Sequence, residues 1–197
     1  LIYTSRVPSA TGGVWDRVDA LQAFDVAMLA RDPETVERLL PDVWSAMQEA
    51  RLEVPFAEVY AGRLMRLPLT DDAATLARRV ALLSENYERI AQLNVAQSDE
   101  ERFLFAIARG MAPETVPRGA VPRMLANAFA GVDVPERYRR ILQEERIGEA
   151  LLRAALVLSS GDGDMDDMGD ALQLLRHLGL ESTARRAALQ LMILERA

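Results

Sequence analysis

Apolar side chains recur at intervals of three and four residues along most of the chain. The clearest stripe joins Leu76, Val80, Leu83, Tyr87 and Ile90. This spacing places side chains on one face of an α-helix, and it predicts one long helix that begins after Thr70. No segment shows the period-two alternation of a half-buried β-strand. The pattern therefore predicts an all-α fold of about eight to ten helices.

Capping residues, glycines and prolines predict where several helices begin and end. Asp32 followed by Pro33 is a favourable start for a helix, which Pro41 is expected to kink or split. Ser98 and Glu101 have the spacing of a capping box at the start of another helix. Gly179 is expected to end the first arm of a hairpin with a Schellman motif.

The stretch from Pro135 to Ser160 is predicted to form one helix at the centre of the fold. In its second half, Glu149 and Arg153 are the only charged residues between Gly148 and Gly161. A helix that is apolar on nearly every side is expected to be surrounded by protein. Replacing Leu152 by Asp is then expected to abolish folding.

The domain organisation follows from the distribution of apolar residues. Residues 1–13, which include Pro8 and the Gly12-Gly13 pair, are predicted to be a linker or tail. Residues 14–197 are predicted to form a single all-helical domain. The chain begins at Leu1 rather than at a methionine, which suggests a region of a larger protein.

The last hairpin, from Ala171 to Leu194, resembles a tetratricopeptide-like unit in the length of its arms, its Gly-containing turn and its alanine positions. The alanines are Ala184, Ala187 and Ala188. The tryptophan and Leu-Gly opening of that repeat does not recur at a fixed period. The resemblance implies an irregular, α-solenoid-like superhelix of helical hairpins, with a compact helical bundle as the alternative.

Composition excludes several classes of function. The net charge is -7 and the arginine pairs are scattered, so nucleic acid is not an expected partner. The chain has no cysteine, which rules out disulfides, thiolate catalysis and Cys-based zinc sites. No uncharged apolar run approaches the roughly 18 residues of a transmembrane helix. All 23 basic residues are arginine, which is typical of a GC-rich bacterial genome.

Two features of the sequence are candidate sites for chemistry. His177, the only histidine, lies in the last turn of a predicted helix and about 10.5 Å along the axis from Asp170, too far for an acid–base pair. Asp162, Asp164 and Asp166 alternate as at the start of a calcium loop, but the sixth position of that loop is not glycine and the twelfth is not glutamate. We therefore predict no metal site and no cofactor.

Several glutamates were considered for glycan hydrolysis, and none is distinguished from the others. They are Glu85, Glu144, Glu145 and Glu181. Some lytic transglycosylases have helical superhelices, but their Glu-Ser is followed by a Gly-Leu-Met-Gln segment, whereas Glu181-Ser182 is followed by Thr-Ala-Arg-Arg. P-loop, dinucleotide and Gly-x-Ser-x-Gly motifs are absent from the sequence. These residues are therefore not expected to be catalytic.

The predicted function is a non-catalytic, helical-repeat-like module for protein–protein interaction or scaffolding, as a region of a larger bacterial protein. The alternative is an accessory or catalytic helical domain of a cell-envelope hydrolase that acts on glycans. A deep pocket that contains a buried glutamate would favour the alternative. The bacterial periplasm or cell envelope is favoured over the cytoplasm.

The end of the last helix is predicted to carry a partner surface. Leu189, Leu191, Met192, Ile193 and Leu194 are too closely spaced to face inward together on a helix of 3.6 residues per turn. Met192 or Ile193 is therefore expected to lie in an apolar patch that binds another protein or a second copy of the chain.

Overall fold

The structure, a computed structural model, describes residues 14–160 and 164–194. These residues form eleven helices and no strand, which confirms the all-α class. The helices are α1 (Val14–Ala30), α2 (Pro33–Ala50), α3 (Glu53–Leu64), α4 (Asp71–Ala81), α5 (Tyr87–Leu93), α6 (Asp99–Ala108), α7 (Ala120–Ala130), α8 (Glu136–Gln143), α9 (Ile147–Ser160), α10 (Met165–His177) and α11 (Glu181–Ile193). The predicted linker at residues 1–13 lies outside the described residues.

The chain divides into two compact units, with unit 1 ending at Asn86 and unit 2 beginning at Tyr87. In unit 1, α1 packs on α2, α3 packs on α4, and α2 contacts both α3 and α4. Aromatic rings fill part of this core: the ring of Phe56 lies 5.7 Å from that of Phe24 and 4.8 Å from that of Tyr60. Burial of these large side chains stabilises the unit.

Helix α2 begins where the sequence predicts and continues past its internal proline. The side chain of Asp32 accepts a hydrogen bond from the backbone N–H of Thr35 at 3.2 Å, and Pro33 occupies the first turn. Pro41 lies inside the helix, which runs on to Ala50 without splitting. Of the two alternatives predicted at Pro41, a kink or a split, the split is therefore wrong.

The long helix predicted after Thr70 is two helices. Helix α4 ends at Ala81, and α5 begins at Tyr87. Between them, the buried hydroxyl of Ser84 donates to the carbonyl oxygen of Ala81 at 2.8 Å and accepts from the N–H of Asn86 at 3.2 Å. Serine bonds of this kind compete with the helical hydrogen-bond ladder and favour a turn. The predicted packing stripe is interrupted there.

Unit 2 contains helices α5 to α11. Helix α10 packs on α7, α9 and α11, and α11 also packs on α6 and α7. The N-cap of α6 is confirmed, since Ser98 accepts from the N–H of Glu101 at 3.1 Å, while the Glu101 carboxylate accepts from the N–H of Gln97. The Schellman stop of α10 is also confirmed: Gly179 has a φ of 77°, and the N–H of Leu180 donates to Leu175 O at 2.8 Å.

The stretch predicted as one central helix, Pro135 to Ser160, is also two helices, α8 and α9. Glu145 between them has a φ of 57°, and the N–H of Arg146 donates to Ile141 O at 3.0 Å. This is the hydrogen bond of a Schellman stop, formed here with a glutamate in the left-handed conformation that glycine usually takes. None of the described helices has the length and apolar character needed to cross a membrane.

Candidate interaction surface on helix α9

The fully buried residues of α9 have small side chains, and the larger Val157 and Leu158 pack beside them, partly buried. Ala150 and Ala154 are completely buried. They belong to a core cluster with four side chains of the two helices that flank α9, namely Tyr138 and Ile141 of α8 and Ala171 and Leu174 of α10. Methyl side chains at these positions allow the helices to approach closely, but they bury little apolar area.

The opposite face of α9 carries larger apolar side chains and is exposed. Leu152 is 61% exposed and Leu156 is 59% exposed. We define the α9 outer face as these two leucines with the exposed residues around them, Gly148, Ala155 and Ser159. The hydroxyl of Ser159 donates to the carbonyl oxygen of Leu156 at 3.1 Å, so its one hydrogen is used within the helix.

The prediction that α9 is enclosed by protein is therefore wrong. Its sequence is apolar on both sides, but α8 and α10 cover only the side that carries Ala150, Ala154, Val157 and Leu158. Replacing Leu152 by Asp would place the charge in solvent rather than in a core. The premise for expecting this substitution to abolish folding is therefore wrong, and we expect the Leu152→Asp chain to fold.

Charged residues border the α9 outer face along one flank. Glu149 accepts a hydrogen bond from Arg153 at 2.7 Å and is also paired with Arg146. Arg146 in turn lies 2.7 Å from Glu144. Because Arg153 is 59% exposed at its side chain, this ion pair is solvated and contributes little to stability.

A shallow depression of about 360 Å³ lies beside this flank, between α8 and α9. Its lining combines apolar side chains with two arginines: Arg137, Tyr138, Ile141, Arg153, Leu156 and Val157. Burial raises the pKa of Tyr138, so its phenol stays protonated at neutral pH. Arg137, which lines the depression, donates a hydrogen bond that lowers the pKa of Asp167. Burial raises the pKa of Asp170. The depression has no group suited to a nucleophile at neutral pH.

The partner surface predicted from sequence lies elsewhere, at the end of α11. Ile193 is only 2% exposed, so it belongs to the interior of unit 2. Met192 is partly exposed. Of Met192 and Ile193, only Met192 has a side chain that a partner could contact. The role of these two residues as a partner surface stays a prediction.

The histidine and the acidic loop have local structural partners. Nδ1 of the exposed His177 lies 2.9 Å from the carbonyl oxygen of Val132. Asp164 is the N-cap of α10 and accepts from the N–H of Asp166 at 3.4 Å, whereas Asp162 lies outside the described residues. Within residues 14–160 and 164–194, no group of three or more His, Asp or Glu side chains could hold a metal ion.

The four glutamates considered for glycan chemistry are dispersed over unit 1 and unit 2. Glu85 is exposed, and Glu145 occupies the turn between α8 and α9. Hydrogen bonds from Arg146 and Arg140 lower the pKa of Glu144 and keep it ionised. A general acid requires the opposite shift. Glu181 is held by Arg176 at 3.2 Å and by Arg185 at 3.3 Å.

Sequence reasoning missed the α9 outer face because apolar periodicity does not show which side of an all-apolar helix is covered. The sequence gives only a weak signal of size, with Ala150 and Ala154 opposite Leu152 and Leu156 on a helix of 3.6 residues per turn. No protein-family model, curated protein or solved structure matches the chain.

Proposed function

We propose that the chain is a non-catalytic helical module for protein–protein interaction or scaffolding, and that the α9 outer face is its docking surface. The observation that carries the proposal is the inverted arrangement of α9, with Ala150 and Ala154 inside and Leu152 and Leu156 outside. Burying a leucine side chain contributes about 1.5–3 kcal/mol. A helix that served only to cover the core would gain more by turning its leucines inward. A partner that covers this face supplies the missing burial.

For the architecture of unit 2, the contacts support the compact-bundle alternative. Helix α11 packs on α6 and α7, which come four or more helices earlier in the chain, and α10 packs on both α7 and α9. In an open superhelix each hairpin would contact only its neighbours. We propose the resemblance to a tetratricopeptide-like unit only for the hairpin α10–α11, and not for the rest of the chain.

The alternative function, a helical domain of a cell-envelope hydrolase that acts on glycans, calls for a buried glutamate in a deep pocket. Glu101 is 5% exposed, but its carboxylate accepts a hydrogen bond from the N–H of Gln97 at 2.7 Å at the start of α6. That contact gives Glu101 a role in capping the helix. No observation on the described residues favours the hydrolase over the interaction module.

The proposal is tested by thiol protection at Leu152. Because the chain has no cysteine, Leu152→Cys introduces a single thiol into the α9 outer face. Its rate of reaction with a maleimide is measured in dilute purified protein and in an extract of the source cells. Unlabelled wild-type chain is then added as a competitor, and the Leu152→Glu/Leu156→Glu chain serves as the matched control competitor.

We expect the extract to slow labelling severalfold. Excess wild-type chain should then change the rate, restoring it where the partner is a different protein and slowing it further where the partner is a second copy, while the double variant leaves the rate unchanged. That difference would show that a saturable partner recognises the leucines themselves. Equal rates in buffer and extract would contradict the proposal. Equal competition by the two chains would place the binding surface elsewhere and would also contradict it.

A further inference from the structure

We infer that the partner that covers the α9 outer face is a second copy of this chain, with the two α9 helices packed antiparallel about a two-fold axis. This inference rests on the proposed function and names its partner. It is carried by the placement of charge and of side-chain size around the exposed leucines.

The charges border the α9 outer face on one flank only. At 3.6 residues per turn, Glu149 and Arg153 lie about 60° and 100° from Leu152 in the same rotational sense. Arg146, which precedes the helix, is paired with Glu149 on that flank. On the other flank, at a similar angle from Leu152, is the apolar residue Leu151. The face therefore has a charged edge and an apolar edge.

This asymmetry distinguishes the two ways in which identical helices can pair. A two-fold axis parallel to the helices would place the charged flank of one copy beside the apolar flank of the other. An axis perpendicular to the helices makes them antiparallel and brings both charged flanks to the same side. Only the antiparallel pair keeps the charged groups together and away from the apolar edge.

In the antiparallel pair the charges are complementary. With the axis level with residue 151, Glu149 of each copy lies at the same height as Arg153 of the other. The two symmetric contacts add to the Glu149–Arg153 pair that each chain already contains, at 2.7 Å. A ring of two carboxylates and two guanidinium groups then borders the interface, which gives electrostatic complementarity without a partner of a different sequence.

Side-chain size is complementary in the same register. Leu156 lies five residues above the axis and Gly148 three residues below it, so Leu156 of one copy is about 3 Å along the axis from Gly148 of the other. The large side chain of Leu156 thus lies opposite Gly148, which has no side chain. In the single chain, nothing lies within 4 Å of a Cβ built at Gly148, so the space beside it is open.

Charge-swap variants of the full chain test this arrangement by light scattering over a range of concentrations at low salt. We expect the wild-type mass to double as concentration rises. Glu149→Arg and Arg153→Glu should each remain monomeric, since each would bring four like charges together. An equimolar mixture of the two should recover the doubled mass. The matched controls are Glu136→Arg and Arg139→Glu, an exposed ion pair of α8, which should leave dimerisation unchanged.

Single cysteines test the orientation. Leu152 lies one residue from the axis, so Leu152→Cys should form a disulfide-linked dimer when oxidised with copper phenanthroline. Ser159 is eight residues from the axis, so two copies of Ser159→Cys would lie about 24 Å apart along the helix. They should not crosslink, because a disulfide requires Cα atoms within about 7 Å. Efficient crosslinking at both positions would indicate a parallel pair and overturn the inference.

The outcomes separate this inference from the proposed function. A wild-type chain that stays monomeric at its highest soluble concentration overturns self-pairing, as does a dimer whose mass is unaffected by either charge variant. If the thiol at position 152 is still protected in the extract, the interaction module stands with a different partner. If that protection is also absent, both proposals fail. Circular dichroism of each variant confirms that its helices are retained.

Discussion

Helices α9 and α10 pack against each other and have nearly the same length, yet they place their large side chains on opposite sides. Helix α10 buries Met168, Leu172 and Leu174 completely. Its exposed side carries polar residues such as Asp166. Helix α9 completely buries only Ala150 and Ala154 and exposes Leu152 and Leu156, whereas Leu151 and Leu158 are partly buried.

The difference shows that an apolar residue in a helix can serve two purposes. The leucines of α10 stabilise unit 2 by leaving water when the chain folds. Leu152 and Leu156 of α9 stay largely in water after folding, so their apolar area contributes fully only when another surface covers it. Substitutions at matched positions of the two helices should therefore have very different effects on folding and should separate stability from association.

The largest expected effect is that of an aspartate in α10. Leu172→Asp would bury an unpaired carboxylate where the leucine is completely enclosed, at a cost of about 4 kcal/mol or more. Against a total stability of about 5–15 kcal/mol, most of the fold should be lost. Leu152→Asp in α9 should cost less than about 1 kcal/mol, chiefly through helix propensity. Urea denaturation of both variants measures the difference, and equal losses would contradict it.

The next effect compares the glycines of the two helices. A Cβ at Gly169 of α10 would lie 3.2 Å from Cγ of Met124, whereas nothing lies near Gly148 of α9. Gly169→Leu should therefore destabilise the fold by about 1–3 kcal/mol through overpacking. Gly148→Leu should be neutral or stabilise it by up to about 0.5 kcal/mol. Thermal melting in dilute solution tests both, and a loss of stability at Gly148 would show that this face is covered within the chain.

The smallest effect concerns the turns at the ends of α8 and α10. Glu145 and Gly179 both have positive φ values, 57° and 77°. Glu145→Gly relieves a strained backbone and should stabilise the protein by about 0.5–1 kcal/mol, whereas Gly179→Ala should cost about 1 kcal/mol. Opposite shifts in melting temperature are expected. A destabilised Glu145→Gly chain would mean that the glutamate side chain matters more than the backbone.

These turns also explain how much of the fold was predictable. The end of α10 was predicted correctly because a glycine marks it. The start of α6 was predicted correctly because Ser98 and Glu101 have a recognisable spacing. The stop between α8 and α9 was missed because a glutamate occupies the left-handed position there. The break after α4 depends on hydrogen bonds of Ser84, which has no distinctive spacing.

The candidate surface was less predictable than the helices. An apolar stretch indicates a helix, but the covered side depends on the neighbours, and these are set by contacts distant in sequence. The apolar run at the end of α11 predicted a partner surface at Met192 and Ile193, but Ile193 is 2% exposed. It also placed Leu152 in the core, and the structure shows that residue in solvent.

The most direct test of the central claim is the accessibility of single thiols on the two sides of α9. Leu152→Cys and Ala154→Cys are made separately in the chain, which has no cysteine of its own, and their maleimide labelling is timed in dilute native protein. We predict that the thiol at position 152 reacts nearly as fast as in urea-unfolded chain, and that the thiol at position 154 is protected until the chain unfolds. Protection at position 152 equal to that at position 154 would contradict the inverted arrangement of α9.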